Sequence, residues 1–366
     1  MDEGAGRQRI FVVGTRAQLI KVAPVVVACE RAGQAATMLM TGQHRETMQD
    51  LVEEFGIRSP QVAAIAAWEH STIGALVKWL PRAYSGVASH LRELARGHSG
   101  LDVLVHGDTL STLVGAVAGR RCGARVVHLE SGLSSGRLFD PFPEEISRRL
   151  VFRAAHVAMC PGPVEAAYMH RHHPQCRVVD TGGNTIVDAV ALVGASPADR
   201  DPSRPYLVAS LHRFQNLYQA GRLRQLTQLV ATLSRRYPVH FVLHPATRNR
   251  LGREGLLPAL EAEPGVTLSP RLGYGAFLRL AAGAACVLTD GGSNQEELAA
   301  LGVPTLVMRA RTERSDGLGA NALMEADAPG GVEAFVLGGG FESLRCPPRP
   351  PPVPGPSQRI VEALAT

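Results

Sequence analysis

The feature of this 366-residue chain that most limits its fold is a recurrence of short, continuous apolar runs rich in Val, Leu and Ile, closing on polar or turn-forming residues. The first half gives Arg9–Gly14, Thr37–Gly42, Asp102–Asp108, Arg125–Ser131, His156–Gly162 and Arg177–Gly182. The second gives Tyr206–His212, His240–Pro245, Val266–Pro270, Cys286–Gly292, Pro304–Arg309 and Ala334–Gly339. Continuous rather than alternating runs are expected of parallel strands covered on both faces. Helical patterns separate most of them, among them Ile20–Arg31, Ser111–Arg121, Pro143–Arg153, Leu223–Tyr237 and Gln295–Leu301. The alternation predicts an α/β fold of two doubly wound, Rossmann-like domains facing a cleft. A chain of 366 residues also exceeds one ordinary core.

The expected boundary follows the Gly-Gly at 182–183, where Asn184 is a candidate N-cap. This gives an N-terminal domain over 1–183, a C-terminal domain over 184–345, and a tail over 346–366. The tail holds a stiff CPPRPPPVPGP connector and a short helix, Ser357–Ala365, that can cross back onto the first domain.

With 45% hydrophobic and 19% charged residues the chain is globular. Its net charge of +5 suits anionic ligands or simply aids solubility. The Arg residues are scattered and no RNA-binding motif appears, so nucleic acid is not expected as a partner. Six cysteines without CxxC pairs point to a reducing compartment and no zinc site. No signal-peptide pattern opens the chain, and no apolar run approaches the ~18 residues of a membrane helix. A cytoplasmic protein without a membrane partner is the expectation.

Six segments carry candidate chemistry. In GTRAQLIK, Arg16 and Lys21 follow a strand and a Gly at a helix start, which is either a phosphate site or a Gly turn with solvated basic residues. In HGDTLST, Asp108 ends a strand, as a partly desolvated carboxylate or a helix cap. In HLESGLSSGRLFDPFPEEISRR, Glu130 ends a strand and Glu144 opens a helix, where it or Glu145 also suits the helix dipole. Asp108, Glu130 and Glu144 fall on one sheet edge, where mutual repulsion would leave one protonated and supply an acid and a base together. His106 and His128 are expected to point to the other side of their strands.

In SLHRFQN, His212 and Arg213 follow the first strand of the second half, and in LHPATR His244 ends the next. TDGGSNQEELAALGVPTLVMR joins a strand to a helix through Gly291, Gly292 and Ser293, an anion cradle by its backbone N–H groups. Glu297 lies further along that helix, within reach of two ribose hydroxyls. A basic loop, Arg311–Gly317, follows.

Together these blocks resemble the UDP-N-acetylglucosamine 2-epimerase family, whose members share the two-domain fold of type-B glycosyltransferases. The blocks GTR…IK…AP, TGQHRE, HGDT, HxESGL…PFPEE, GNTIVD, HR, TDGGSNQEE, LGVP, MR…TER and QRIVEAL run in the same order over nearly the whole chain. The resemblance implies catalytic roles for Asp108, Glu130, Glu144 and His212. It places Arg16, Lys21, Phe277, Gly292, Ser293, Glu297 and Arg314 around UDP; Gly291, Arg148, Arg213 and His244 are further substrate-binding candidates. Gln43 and His44 fall near the cleft and near a second, regulatory sugar-nucleotide site in some members. It further implies UDP elimination to a glycal and re-addition, with no cofactor and no metal, and a homodimer. A hydrolysing 2-epimerase, a glycosyltransferase and an inactive sugar-nucleotide-binding protein are the alternatives.

Departures from the family pattern fall at Ala17, Gln18, Ser134, Phe214 and Ser293. Those at Gln18, Phe214 and Ser293 resemble a subgroup acting on modified UDP-amino sugars, which fits antibiotic biosynthesis. Ser134 stands where an Arg is usual.

Overall fold

The computed structural model describes residues 7–42, 48–66, 73–134, 144–219, 221–312 and 314–365, with the side chains of 73–77, Glu144 and Asp199 outside that description. The chain divides into two compact units, Met1–Leu192 with Pro351–Thr366, and Val193–Pro350.

In unit 1 the order is β1 (Gln8–Val13), α1 (Arg16–Arg31), β2 (Ala36–Met40), α2 (Gln49–Glu54), β3 (Gln61–Ala63), α3 (Ile73–Ala95), β4 (Leu101–His106), α4 (Leu110–Arg121), β5 (Arg125–Leu129), α5 (Glu144–Ala154), β6 (Val157–Cys160), α6 (Pro163–His172), β7 (Arg177–Asp180) and α7 (Ile186–Leu192). Its seven-stranded sheet has the order β3-β2-β1-β4-β5-β6-β7. Every pairing is parallel. Ile10, Val12, Val103, Val105 and Val126 pack on one face with Trp79 and Leu91 of α3. The short edge strand β3 lies outside the predicted runs, since two exposed residues and one half-buried one make no apolar run.

In unit 2 the order is β8 (Leu207–Ser210), α8 (Phe214–Tyr218), α9 (Arg222–Ser234), β9 (Val239–Leu243), α10 (Pro245–Arg253), α11 (Leu257–Glu261), β10 (Val266–Pro270), α12 (Tyr274–Ala282), β11 (Cys286–Thr289), α13 (Gly292–Leu301), β12 (Thr305–Val307), β13 (Ala322–Met324) and α14 (Gly331–Leu337). The strands form a parallel sheet of order β10-β9-β8-β11-β12-β13. The predicted strand Ala334–Gly339 is a correction: it lies in α14, and β13 takes the sixth position. Val332, Phe335 and Val336 recur at helical spacing and meet the core on one face, so the short apolar run is a helix stripe.

The predicted boundary at 183 falls inside unit 1, because α7 packs against α1. The closing helix α15 (Pro356–Ala365) also packs on α1, and the Asp188 carboxylate accepts the Ser357 N–H at 2.7 Å. All six cysteines are free. Among the described residues no helix is long and apolar enough to cross a membrane.

The turn after β1 has room only for glycine. A Cβ on Gly14 would sit 1.9 Å from Ser111 Oγ and 2.6 Å from Thr41 Oγ1, two hydroxyls already hydrogen-bonded at 2.7 Å. Gly14→Ala is therefore expected to cost about 1–3 kcal/mol through overpacking. Gly252→Ala, with nothing within 4 Å, should be neutral or slightly stabilising. Urea midpoints of the two variants check the contrast.

Candidate active site

In unit 1 the chain leaves β4 and β5 through left-handed turns, at Gly107 (φ 67°) and at Glu130 (φ 58°). A non-glycine residue held there is strained by about 1–3 kcal/mol unless its surroundings fix it. Here they do. Lys21 Nζ and Asn184 Nδ2 each donate to Glu130 Oε1 at 2.7 Å, and His106 Nε2 lies 3.6 Å from Oε2. The Lys21 and Glu130 side chains are only 5% and 7% exposed, so each charge depends on the other. Thr185, next to Asn184, donates its hydroxyl to the Lys21 carbonyl at 2.6 Å, tying the GNTIVD segment to α1.

Asp108 pairs with Arg148 of α5. The other branch of Arg148 meets Glu145 Oε2 at 2.7 Å. Glu145 is fully buried and also accepts from Arg149 Nε at 3.0 Å and Ser134 Oγ at 2.6 Å. Ser134 thus bonds a carboxylate that two α5 arginines already hold. Asp108 and Glu130 each meet a cation, Arg148 and Lys21.

The expected orientation of the two strand histidines is corrected for His106, which turns towards Glu130. The turn at Gly107 ends the strand before Asp108, so strand alternation does not carry through to it. His128 is wholly buried, with Nε2 2.8 Å from the Gly107 carbonyl and Nδ1 3.0 Å from Ser131 Oγ. A carbonyl only accepts, so Nε2 carries the proton and Nδ1 accepts from the serine. His128 therefore pins the turn that delivers Asp108.

Arg16 forms a two-pronged ion pair with Asp50 of α2, both contacts 2.5 Å. Gln18, one of the departures, is buried. It accepts the Gly14 N–H at 3.0 Å and donates to the His106 carbonyl and Thr112 Oγ1, each at 2.8 Å. Glu144 opens α5, but its side chain lies outside the described residues, as do Gln43 and His44.

In unit 2 the organiser is Asp290, fully buried at the end of β11. It accepts the backbone N–H of His212 at 3.0 Å, that of Arg213 at 2.9 Å and Asn216 Nδ2 at 2.8 Å. These bonds fix the turn after β8. They set the His212 ring 3.4 Å from Asp290, and 5.6 Å, centroid to centroid, from the His244 ring. Burial lowers the His212 pKa, while Asp290 opposes this and Arg213 and Arg271 add to it. His244 also caps α10, Nδ1 accepting from Ala246 N at 3.3 Å.

Gly291 and Gly292 open α13. A Cβ on Gly291 would lie 3.2 Å from His212 Cε1 and 2.5 Å from Asn294 Oδ1. Around Gly292, Arg213 Nη2, Arg314 Cγ and Arg309 Nη2 would stand 3.7, 3.8 and 4.0 Å from such an atom. A helix N-terminus flanked by two guanidinium groups, with the stem of a third arginine beside it, is an anion cradle. Ser293 sits in its first turn. Glu297 is buried and accepts from Asn294 Nδ2 at 3.1 Å. Arg314 Nη1 pairs with Glu296 at 2.9 Å, and Gln295 holds that loop through the Arg314 and Asp316 carbonyls. Phe277 is buried on α12.

Residues 28–329 match the profile of the UDP-N-acetylglucosamine 2-epimerase family. The chain belongs to that family. It is 28% identical to the UDP-N-acetylglucosamine 2-epimerase of Methanococcus maripaludis over 330 residues, covering 85% of this chain and 86% of that protein. The Bacillus subtilis enzyme of the same name is 28% identical over 318 residues, covering 85% and 81%. In fold it is similar to the Neisseria meningitidis UDP-GlcNAc 2-epimerase bound to UDP-GlcNAc, with a TM-score of 0.78 at 23% identity over 98% of this chain and 99% of that one.

Four participants were not among the sequence candidates: Asp290, Arg309, Asn184 and Glu145. Asp290 and Glu145 were hidden among Gly-rich and helix-start residues. Asn184 read as a helix cap, and its Oδ1 does accept the Ile186 N–H at 3.0 Å while Nδ2 reaches Glu130. Arg309 follows an apolar strand and belongs to the MR…TER block.

Burial pushes the His128 imidazole from 6.5 down to about 4. The unfolded chain takes up this proton near 6.5 and the folded chain only near 4, so this contribution to stability is present above 6.5 and lost as pH falls to 4. The loss is on the order of 3 kcal/mol. Urea unfolding across this range should show it, and His128→Asn, which keeps a donor for Gly107 but cannot titrate, should flatten the slope.

Proposed function

We propose that the chain epimerises C2 of a UDP-N-acetylglucosamine-type sugar nucleotide by eliminating UDP and adding it back. The observation that carries the reading is Glu130, ion-paired with Lys21 in a strained turn on the sheet edge that also delivers Asp108. The C2 proton is not acidic. Its removal becomes feasible when the C1–O bond to UDP breaks in the same process, giving a glycal and UDP. A carboxylate of the Asp108, Glu130 and Glu144 set takes the proton, and another returns one to the opposite face as UDP re-adds at C1. The start of α13 with Arg213, Arg309 and Arg314 stabilises the departing diphosphate. Glu297 takes the ribose hydroxyls, Ser293 a phosphate oxygen, and Phe277 lies near the base. His212, fixed by Asp290, hydrogen-bonds in its neutral form, in keeping with its lowered pKa. The scheme uses no metal and no nicotinamide.

The Neisseria meningitidis structure holds UDP-GlcNAc, which supports the choice of substrate class. The departures at Gln18, Phe214 and Ser293 favour a modified amino sugar, as in antibiotic biosynthesis. Six free cysteines favour a cytoplasmic setting. The assembly is read as a homodimer through unit 1, so light scattering should give twice the 39.0 kDa chain mass.

Incubation with UDP-GlcNAc in D2O, followed by proton NMR, tests the reaction. Deuterium at C2 with UDP-ManNAc appearing is the expected result. Free ManNAc and UDP would place the chain in the hydrolysing branch. Glu130→Gln and Asp108→Asn should lower turnover by roughly 10²–10⁴-fold while UDP still binds. Full turnover in Glu130→Gln overturns the carboxylate assignment.

A further inference from the structure

Beside the start of α13, unit 2 contains a cavity of about 520 Å³, within the size range of small-ligand pockets. Four guanidinium groups line it, those of Arg213, Arg222, Arg309 and Arg311, against one carboxylate, Glu325. That carboxylate is already engaged with Arg222. Arg222 is held further by Nε donating to Asn216 Oδ1 at 3.1 Å. The Asn216 amide is in turn fixed by Asp290 and the Met308 carbonyl, each at 2.8 Å. Arg309, only 7% exposed, is held by Gln295 and Thr312. Arg213 and Arg311 have no carboxylate partner among the described residues.

Arginines gathered around one cavity, two of them held in place, cost repulsion unless an anion joins them. We infer that the cavity is a second oxyanion site, for a phosphate- or carboxylate-bearing group, sharing Arg213 and Arg309 with the α13 cradle. Guanidinium forks match both groups by paired hydrogen bonds. Two sources present that chemistry: an anionic substituent on the sugar of the bound nucleotide, or a separate small anion held beside UDP. The inference rests on the proposed function only for placing the nucleotide at α13.

Calorimetry on the full chain separates these cases. Inorganic pyrophosphate is titrated into wild type saturated with UDP, and UDP-glucuronic acid is compared with UDP-glucose. Both are repeated in Arg311→Gln and in Gln219→Glu, the latter placing a negative charge in the cavity lining without removing any group of the cradle. Pyrophosphate binding beside UDP, weakened about tenfold or more in both variants, assigns the site to a separate anion. A preference for UDP-glucuronic acid that both variants erase assigns it to the sugar. UDP affinity should change far less than pyrophosphate affinity, since neither variant removes a group of the cradle. Pyrophosphate binding that vanishes once UDP is present, with no preference between the two sugars, overturns the proposal. If UDP itself does not bind, the nucleotide reading fails separately. Pyrophosphate affinity in the two variants then still decides the cavity.

Discussion

Both sheets are wholly parallel, and this constraint governs everything else in the molecule. Parallel neighbours need crossovers, and the crossovers cover both sheet faces with helices. Side chains of the central strands are then confined to the core, while the edge strands β3, β7 and β10 stay partly exposed. Polar groups can gather only where strands end and helices begin. Glu130, Asp108, His212, Asp290 and Gly291 all stand at such junctions. The junctions add oriented N–H groups and room for glycine turns, which a strand interior cannot provide.

Charge at these edges is handled by pairing rather than by exposure. Lys21 with Glu130, Arg148 with Glu145, and backbone N–H groups with Asp290 each place a carboxylate beside a donor away from water, while Asp108 meets Arg148 with 29% of its side chain exposed. Removing one member of such a buried pair typically costs about 3–5 kcal/mol, because the other is left uncompensated. Such pairing fixes the side chains in place, which suits the proposed proton transfer at carbon. Asp290 achieves the same end without a cation, by collecting three N–H donors from one short turn.

The GNTIVD segment shows how one stretch of sequence serves several levels. Asn184 holds the Glu130 carboxylate, Thr185 holds the helix that carries Lys21, and Asp188 caps the closing helix. Its helix α7 consequently belongs to unit 1, although the glycines before it look like a boundary.

Periodicity and chain order determined the two-sheet α/β architecture, because continuous apolar runs separated by amphipathic stretches have few other ways to bury themselves. They also placed Asp108, Glu130, His212 and the glycines of α13 at strand ends. The partners lay beyond reach. Which cation meets which carboxylate, as with Lys21 and Glu130 over 109 positions of sequence, depends on the register of strands brought together only by folding. The same holds for the turn of His106 towards Glu130 and for the buried Asp290 under His212. Short apolar runs were equally ambiguous, and α14 became a helix because only a helix sets Val332, Phe335 and Val336 on the core together. Local sequence specifies periodicity and turn chemistry, whereas distant pairing is a property of the packed sheet.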